Sequence, residues 1–260
     1  MKIDNSVITN LKRPRVAILS SKRFALNYYL VNSLSHNFDV DLLIVSKTLK
    51  QEIKFSRKLL RKISFLGVLY YSWEKSKEHF YLKKLATKEQ FPNVHSLSKM
   101  YFKENSEELC AHLKESEYGF ILLGKSGLLD KRVLQSGAFR FINVHPAKLP
   151  EFRGYAEPAH ALLLDKSREI GFTIHFVDEG IDTGSIIEWV QVRLQKVSSL
   201  SELLALVRFQ GYKHFLQTTK FAELFLREKN IQKASFPILT FLNWKIRRKL
   251  DTSVRNTIIS

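Results

Sequence analysis

The sequence predicts an α/β fold built on a doubly wound, mostly parallel sheet, and three observations carry that reading. Four short apolar runs, RVAILSS (15–21), FDVDLLIVS (38–46), YGFILLGK (118–125) and FRFINVH (139–145), have the length and continuity of strands buried on both faces. Segments with apolar residues at three- and four-residue spacing lie between them, as crossover helices do. The 260-residue chain is 45% hydrophobic, enough for one large core.

Each element follows from local pattern. After the first strand, FALNYYLVNSL (24–34) predicts a helix, and the second strand follows at 38–46. KTLKQEIKFSRKLLRK (47–62) holds seven basic residues and one acid, with Ile53, Leu59, Leu60 and Ile63 at helical spacing, so a basic amphipathic helix is expected there. A second helix is expected to follow Gly67. VHSL (94–97) is a candidate short strand. SEELCAHLKES (106–116) predicts a helix capped by Ser106. A strand at 118–125, a short helix near 130–136 and a strand at 139–145 come next. PAHALLLD (158–165) predicts a helix with Pro158 near its first turn. GFTIHFV (171–177) and SIIEWVQVRL (185–194) predict strands, the second with clear alternation. The stretch 198–230 predicts a long amphipathic helix opened by a Ser199/Glu202 capping box. Residues 1–230 therefore form the expected main domain, with 47–90 as a basic helical insertion. Residues 231–260 form a helical, basic C-terminal appendage.

Composition narrows the classes. Cys110 is the only cysteine, which excludes an intramolecular disulfide and a cysteine metal cluster and fits a reducing compartment. The first fifteen residues hold no apolar core of a secretory signal, and no stretch reaches the ~20 apolar residues of a membrane span. A cytoplasmic location is expected. The net charge of +17 points to an anionic partner (nucleic acid, a phosphorylated small molecule or an acidic membrane surface) or to no more than a solvated lysine-rich face. The sequence offers neither a nucleic-acid-binding fold motif nor stacking aromatics on a sheet, which counts against nucleic acid. The tail FPILTFLNWKIRRKL (236–250) reads either as a docked terminal helix with a basic outer face or as a peripheral contact with an anionic membrane.

Two segments carry chemistry: FINVHPAKLPEFRG (141–154) and FVDEGIDTG (176–184). Residues i and i+2 of a strand share a face, so Asn143 and His145 project together. An amide donor beside an imidazole can hold a carbonyl oxygen as it becomes a tetrahedral oxyanion. A carboxylate next to that imidazole stabilises its cation or relays a proton through water, and Asp182 is the candidate in its glycine-punctuated loop. Open alternatives are a solvated acidic turn and a metal site of His145, Asp178 and Asp182, the latter without compact ligand spacing. Asn-Val-His also occurs at 93–95, so the tripeptide alone identifies nothing.

Together, N-x-H-P-x-x-L-P-x-F-R-G and D-E-G-I-D-T-G resemble the folate-dependent formyltransferase family, strongly over 117–228 and more weakly over the first 46 residues. The family includes glycinamide ribonucleotide, methionyl-tRNA and sugar N-formyltransferases. The resemblance implies a Rossmann-like formyltransferase fold and 10-formyltetrahydrofolate as cosubstrate. It places the catalytic roles on Asn143, His145 and Asp182. It implies that backbone groups of two loops grip the pterin, at Gly127 and Leu129 in 124–129 and at Val177, Asp178, Glu179, Gly180 and Ile181 in the second.

Departures from the family pattern bear on the acceptor. The loop after the first strand, SSKRFALN (20–27), has no glycine to make a phosphate cradle, although Lys22 and Arg23 can still contact phosphate. The resemblance to the tRNA enzyme would lead one to expect a further C-terminal barrel, whereas here mostly helical sequence follows Asp182. An anionic small-molecule amine is therefore the expected acceptor, foremost a nucleotide-linked amino sugar of surface-polysaccharide (lipopolysaccharide) biosynthesis. Methionyl-tRNA or a ribonucleotide amine is the alternative, and an inactive folate- or anion-binding domain is the alternative of another class. Arg153, Gly154, Tyr155 and Glu157 should line the acceptor side. Arg153 could pair with phosphate or hold the loop, and Glu157 could receive the acceptor amine or cap the next helix. The sequence does not give the oligomeric state.

Overall fold

The computed structural model describes residues 13–53, 57, 64–89, 98–155, 158–193, 197–218, 238–239 and 242–257. Glu157, the candidate strand 94–97 and much of the basic stretch 54–63 lie outside the described residues, although 49–53 are helical as expected.

Nine strands and seven α-helices are named here in chain order: β1 (Arg15–Ser21), α1 (Asn27–Leu34), β2 (Asp39–Ser46), α2 (Phe65–Thr87), β3 (Ser98–Lys103), α3 (Glu107–Glu115), β4 (Phe120–Leu123), α4 (Lys131–Leu134), β5 (Arg140–His145), β6 (Arg153–Gly154), α5 (Pro158–Leu163), β7 (Gly171–Phe176), β8 (Ile186–Gln191), α6 (Leu200–Thr218), β9 (Ile238–Leu239) and α7 (Trp244–Thr257). Seven strands form one sheet in the order β3-β2-β1-β4-β5-β7-β8. The first five run parallel, while β7 and β8 are antiparallel to their neighbours. β6 and β9 pair separately, in parallel.

Alternation along the strands splits the core in two. Val16, Ile18, Leu42, Phe120, Leu122, Ile142, Val144, Phe172 and Ile174 pack on one face with α1, α5 and α6. Ala17, Leu19, Leu43, Ile121, Leu123 and Phe141 pack on the other with α3 and α4. The period of two then puts Asn143 and His145 of β5, and Thr173 and His175 of β7, on the second face.

Helix starts follow capping chemistry. The Ser106 hydroxyl accepts from the Leu109 N–H (3.1 Å) and the Asp130 carboxylate from the Val133 N–H (3.1 Å). At α6 the Ser199 hydroxyl accepts from the Glu202 N–H, while the Glu202 carboxylate reaches back to the N–H and hydroxyl of Ser198, one residue further than a standard capping box. Three expectations need correction. α2 does not follow Gly67 but contains it, because Ser64 caps the helix by accepting the Gly67 N–H (3.2 Å). α1 starts at Asn27 rather than at 24, since Asn27 Nδ2 donates to Ser21 O (2.9 Å) and holds residues 24–26 in a turn. β8 shows no buried/exposed alternation: it is an edge strand, partly covered along its length.

The described parts of the tail dock onto this body. Ile238 and Leu239 pair with Arg153 and Gly154. The Asp251 carboxylate accepts from the Leu200 N–H (2.7 Å) at the start of α6. Among the described residues no helix is long and apolar enough to cross a membrane.

Candidate active site

β5 and β7 build the floor of the site. Their antiparallel register sets Asn143 opposite His175 and His145 opposite Thr173, so four polar side chains form a square on one face. β7 and β8 slip register between Ile174 and His175, a bulge of the kind that re-aims a side chain beside a functional site. Thr173 is fully buried and works as a strap. Its hydroxyl donates to Ala147 O (2.8 Å) and accepts from the Leu149 N–H (3.0 Å), fixing the turn that leaves His145.

Site loops of a parallel α/β sheet belong at the carboxyl edge of its strands, but the direction of β7 does not send the 178–183 loop there. Phe176 ends level with Ile142, upstream of His145, so the loop leaves from the opposite edge. It must double back to bring Asp182 to the histidines. Gly184 permits the return, because a Cβ there would collide with the Phe176 carbonyl. Asp182 itself takes φ +51°, a left-handed conformation that Asp tolerates better than most residues.

The three side chains read from sequence do converge. Asp182 Oδ2 lies 3.7 Å from His145 Nδ1 and Oδ1 lies 3.7 Å from His175 Nε2, ion-pair rather than hydrogen-bond distances. Oδ2 also accepts from the Gly154 N–H (2.9 Å). The opposite ring nitrogen of buried His145, Nε2, donates to Phe152 O (2.8 Å). His175 was missed as a site residue: the i/i+2 rule applied to GFTIHFV puts it on one face with Thr173, but only the pairing of β7 with β5 sets it beside Asn143. Its Nδ1–H donates to Phe176 O (2.7 Å), so Nε2 carries the lone pair that accepts from Asn143 Nδ2 (3.1 Å). Burial pushes the His175 pKa down to about 4 against the pull of the Asp182 charge, so this ring is neutral at pH 7.

The two loops expected to meet a pterin flank this face. In 124–129, the Lys125 N–H donates to Ser20 Oγ, and Leu129 packs under the loop against the core shared with Val177. Gly127 sits against the Glu104 carboxylate. Asn105, another residue not foreseen, pins the loop by donating to Leu128 O (3.0 Å) and accepting the Asp130 N–H (2.9 Å). In the second loop, the Val177 N–H donates to Phe141 O. Asp178 turns inward to accept from the Gly180 N–H (3.1 Å) and the Thr183 hydroxyl. Glu179 is tied to α4 by Gln135 (2.9 Å) and Lys131 (3.1 Å). Ile181 O accepts from Arg153 Nε (3.0 Å). Among the described residues, no three His, Cys, Asp or Glu side chains gather as a metal-binding group.

The acceptor-side residues divide. Arg153 is buried and bonded to the Ile181 loop, and Gly154 is a backbone hinge (φ +84°) where a Cβ would come within 2.7 Å of Leu239 O. Tyr155 is half exposed, its N–H donating to Leu239 O. Lys22 and Arg23 are exposed in the turn after β1. The register aligns Leu19, Leu123 and Asn143. That turn therefore lies at the same edge as His145, two strands and about 10 Å to the side.

The family model described as formyl transferase matches residues 71–219, more than half of the chain, including Asn143, His145, His175 and Asp182. The chain belongs to the formyl transferase family. Among curated relatives, a methionyl-tRNA formyltransferase of Caldicellulosiruptor saccharolyticus is 32% identical over 118 residues, covering 45% of this chain and 38% of that protein. The trifunctional purine biosynthetic protein adenosine-3 of Drosophila pseudoobscura pseudoobscura is 42% identical over 81 residues, 31% of this chain and 6% of that protein. The matches thus span well under half the length of these relatives. A sugar N-formyltransferase structure from Shewanella superposes with a TM-score of 0.51 at 17% identity, covering 88% of this chain and 74% of that one. A phosphoribosylglycinamide formyltransferase from Bacillus halodurans gives 0.52 at 21%, covering 81% and 94%. At these identities the two structures establish the shared fold.

Proposed function

We propose that this protein transfers a formyl group from 10-formyltetrahydrofolate to the primary amine of an anionic small molecule, foremost a nucleotide-linked amino sugar. The single observation that carries the reading is the meeting of Asp182 with His145 beside Asn143 on one sheet face, from positions 37 residues apart in the chain. In this reading the neutral amine attacks the formyl carbon. Asn143 and the His145 imidazolium face the oxygen as it gains charge, in a site where fixed donors act without reorganising. The Asp182 carboxylate supports the imidazolium and takes up protons released by the amine, through water. Collapse of the tetrahedral intermediate then returns the proton to the folate nitrogen and expels tetrahydrofolate. The 124–129 and 177–182 loops, pinned by Asn105 and α4, would hold the pterin through backbone groups. Lys22, Arg23 and Tyr155 are the proposed acceptor contacts, and the exposed cations suit a diphosphate.

Release of tetrahydrofolate across a panel of candidate amines is the direct test. An Asp182→Asn protein should bind folate and keep its fold, since Asn tolerates the left-handed backbone and can still accept the Gly154 N–H. Its transfer rate should fall by roughly 10³-fold or more, and His145→Ala should behave likewise. Wild-type rates in either variant would remove the assignment. A tRNA acceptor is the second reading, supported by the net charge and by the name of the bacterial relative above. Tight, salt-sensitive retention of tRNA in a gel shift would promote it.

A further inference from the structure

α2 buries carboxylates beside its core-facing apolar groups, Tyr81, Leu82 and Leu85, and leaves other large apolar groups outside. Its core-facing side carries Glu74 and Glu78, respectively 2% and 6% exposed, together with Gly67 and Leu82. Glu74 is held by Lys77 (2.9 Å) and the Ser201 hydroxyl (2.6 Å), and Glu78 by Lys75 (2.8 Å) and Arg208 (2.9 Å). The outward side carries the large apolar groups: Phe65 is 68% exposed, Leu66 63%, Leu69 51%, Trp73 53% and Phe80 62%. At about 100° per residue these five fall within an arc of roughly 100°, opposite the two glutamates. Lys83 and Lys84 are exposed on the same arc, Lys77 edges it with its ammonium 3.8 Å from the centre of the Trp73 ring, and the arc holds no carboxylate.

α7 extends this surface. Trp73, Tyr70 and Trp244 form a run of rings with centroids 5.9 and 6.1 Å apart. Beyond Trp244, α7 presents Lys245, Arg248 and Lys249 to solvent beside the half-exposed Ile246, while its Arg247, Asp251 and Val254 are buried. A soluble surface does not usually leave a contiguous aromatic and aliphatic stripe uncovered. Two copies meeting through it would bring lysine rims of like charge together. A bilayer with anionic headgroups offers apolar depth for the stripe and negative charge for both rims.

We infer that the outward stripe of α2, with the basic face of α7, docks the protein in plane on an anionic lipid surface. Phe65, Leu69, Trp73 and Phe80 enter the headgroup boundary, and the lysines and arginines meet lipid phosphates. The inference is independent of the acceptor and of formyl transfer itself.

The test is flotation of the full chain with phosphatidylcholine vesicles and with vesicles of equal phosphatidylcholine and phosphatidylglycerol, at low and physiological salt. The wild type is expected to float with the anionic vesicles only. Leu69→Ser/Trp73→Ser/Phe80→Ser should weaken binding by more than roughly tenfold with unchanged circular dichroism and thermal midpoint. Lys83→Glu/Lys84→Glu should abolish the preference for anionic lipid. Failure of the wild type to float on anionic vesicles, or equal flotation of the triple serine variant, overturns the inference. Light scattering that shows a dimer lost in that variant would assign the stripe to a second copy. RNA retention lost in it without vesicle binding would assign it to nucleic acid.

Discussion

The direction of the Asn143 hydrogen bond is set by His175. With Nδ1–H committed to Phe176 O, the buried ring can only accept at Nε2, which draws the amide nitrogen of Asn143 toward it. One Nδ2 hydrogen is thereby fixed, and in the proposed function the other is the one offered to an incoming carbonyl oxygen. His175→Gln, which still offers an acceptor, should keep most activity, whereas His175→Leu should lower kcat by roughly 10- to 100-fold while leaving the KM for folate nearly unchanged. The same ring makes stability depend on pH. Its folded pKa of about 4 lies below the unfolded value near 6.5, so between these values the unfolded chain binds the extra proton. The contribution is fully present above pH 6.5 and is lost as pH falls toward 4, amounting to about 3 kcal/mol over that window. Thermal midpoints measured from pH 7 to 4 should fall more steeply for wild type than for His175→Gln.

At the scale of elements, β5 and β7 supply the site through register and α2 supplies a polar interface. Asn143 and His145 were legible because the i/i+2 rule needs only a strand assignment. The closeness of Asp182 was not legible from spacing: it depends on β7 running antiparallel and on a loop that doubles back, both decided by sheet pairing. The interface between α2 and α6 could not be foreseen either, because a helix with glutamates on its core side reads as solvent-facing there. Burial of Glu74 is compensated by Lys77 and by the hydroxyl of Ser201. Ser201→Ala removes that hydroxyl from a carboxylate 2% exposed, and should cost about 1–2 kcal/mol in a urea melt. A smaller effect, within error of wild type, would mean that water takes over the bond.

For the whole molecule, sheet order and tail docking matter most. The order β3-β2-β1-β4-β5 places the turn after β1 and the 124–129 loop side by side at the point where the winding reverses, where ligands of such sheets bind. The tail, expected as an appendage, contributes a strand to the 153–154 segment and a cap to α6. Asp251→Ala should therefore cost about 1–2 kcal/mol. It should also raise the rate of proteolytic cleavage ahead of Trp244, which limited digestion of wild type and variant side by side would reveal. Equal digestion rates would show that α7 stays docked without the Asp251 cap.

From composition, strand length and the two motifs, the sequence by itself determined the sheet-based class, the strand carrying Asn143 and His145, and the loop carrying Asp182. These are local properties: hydrophobic period, capping chemistry and residue type. Only the tertiary structure decided that β7 reverses, that His175 orients Asn143 and that Asp182 touches both histidines. It also decided that α2 turns its carboxylates inward and its aromatics outward. Each of these depends on which residues from distant parts of the chain share a buried space, and the energy of that sharing is not written in any single segment.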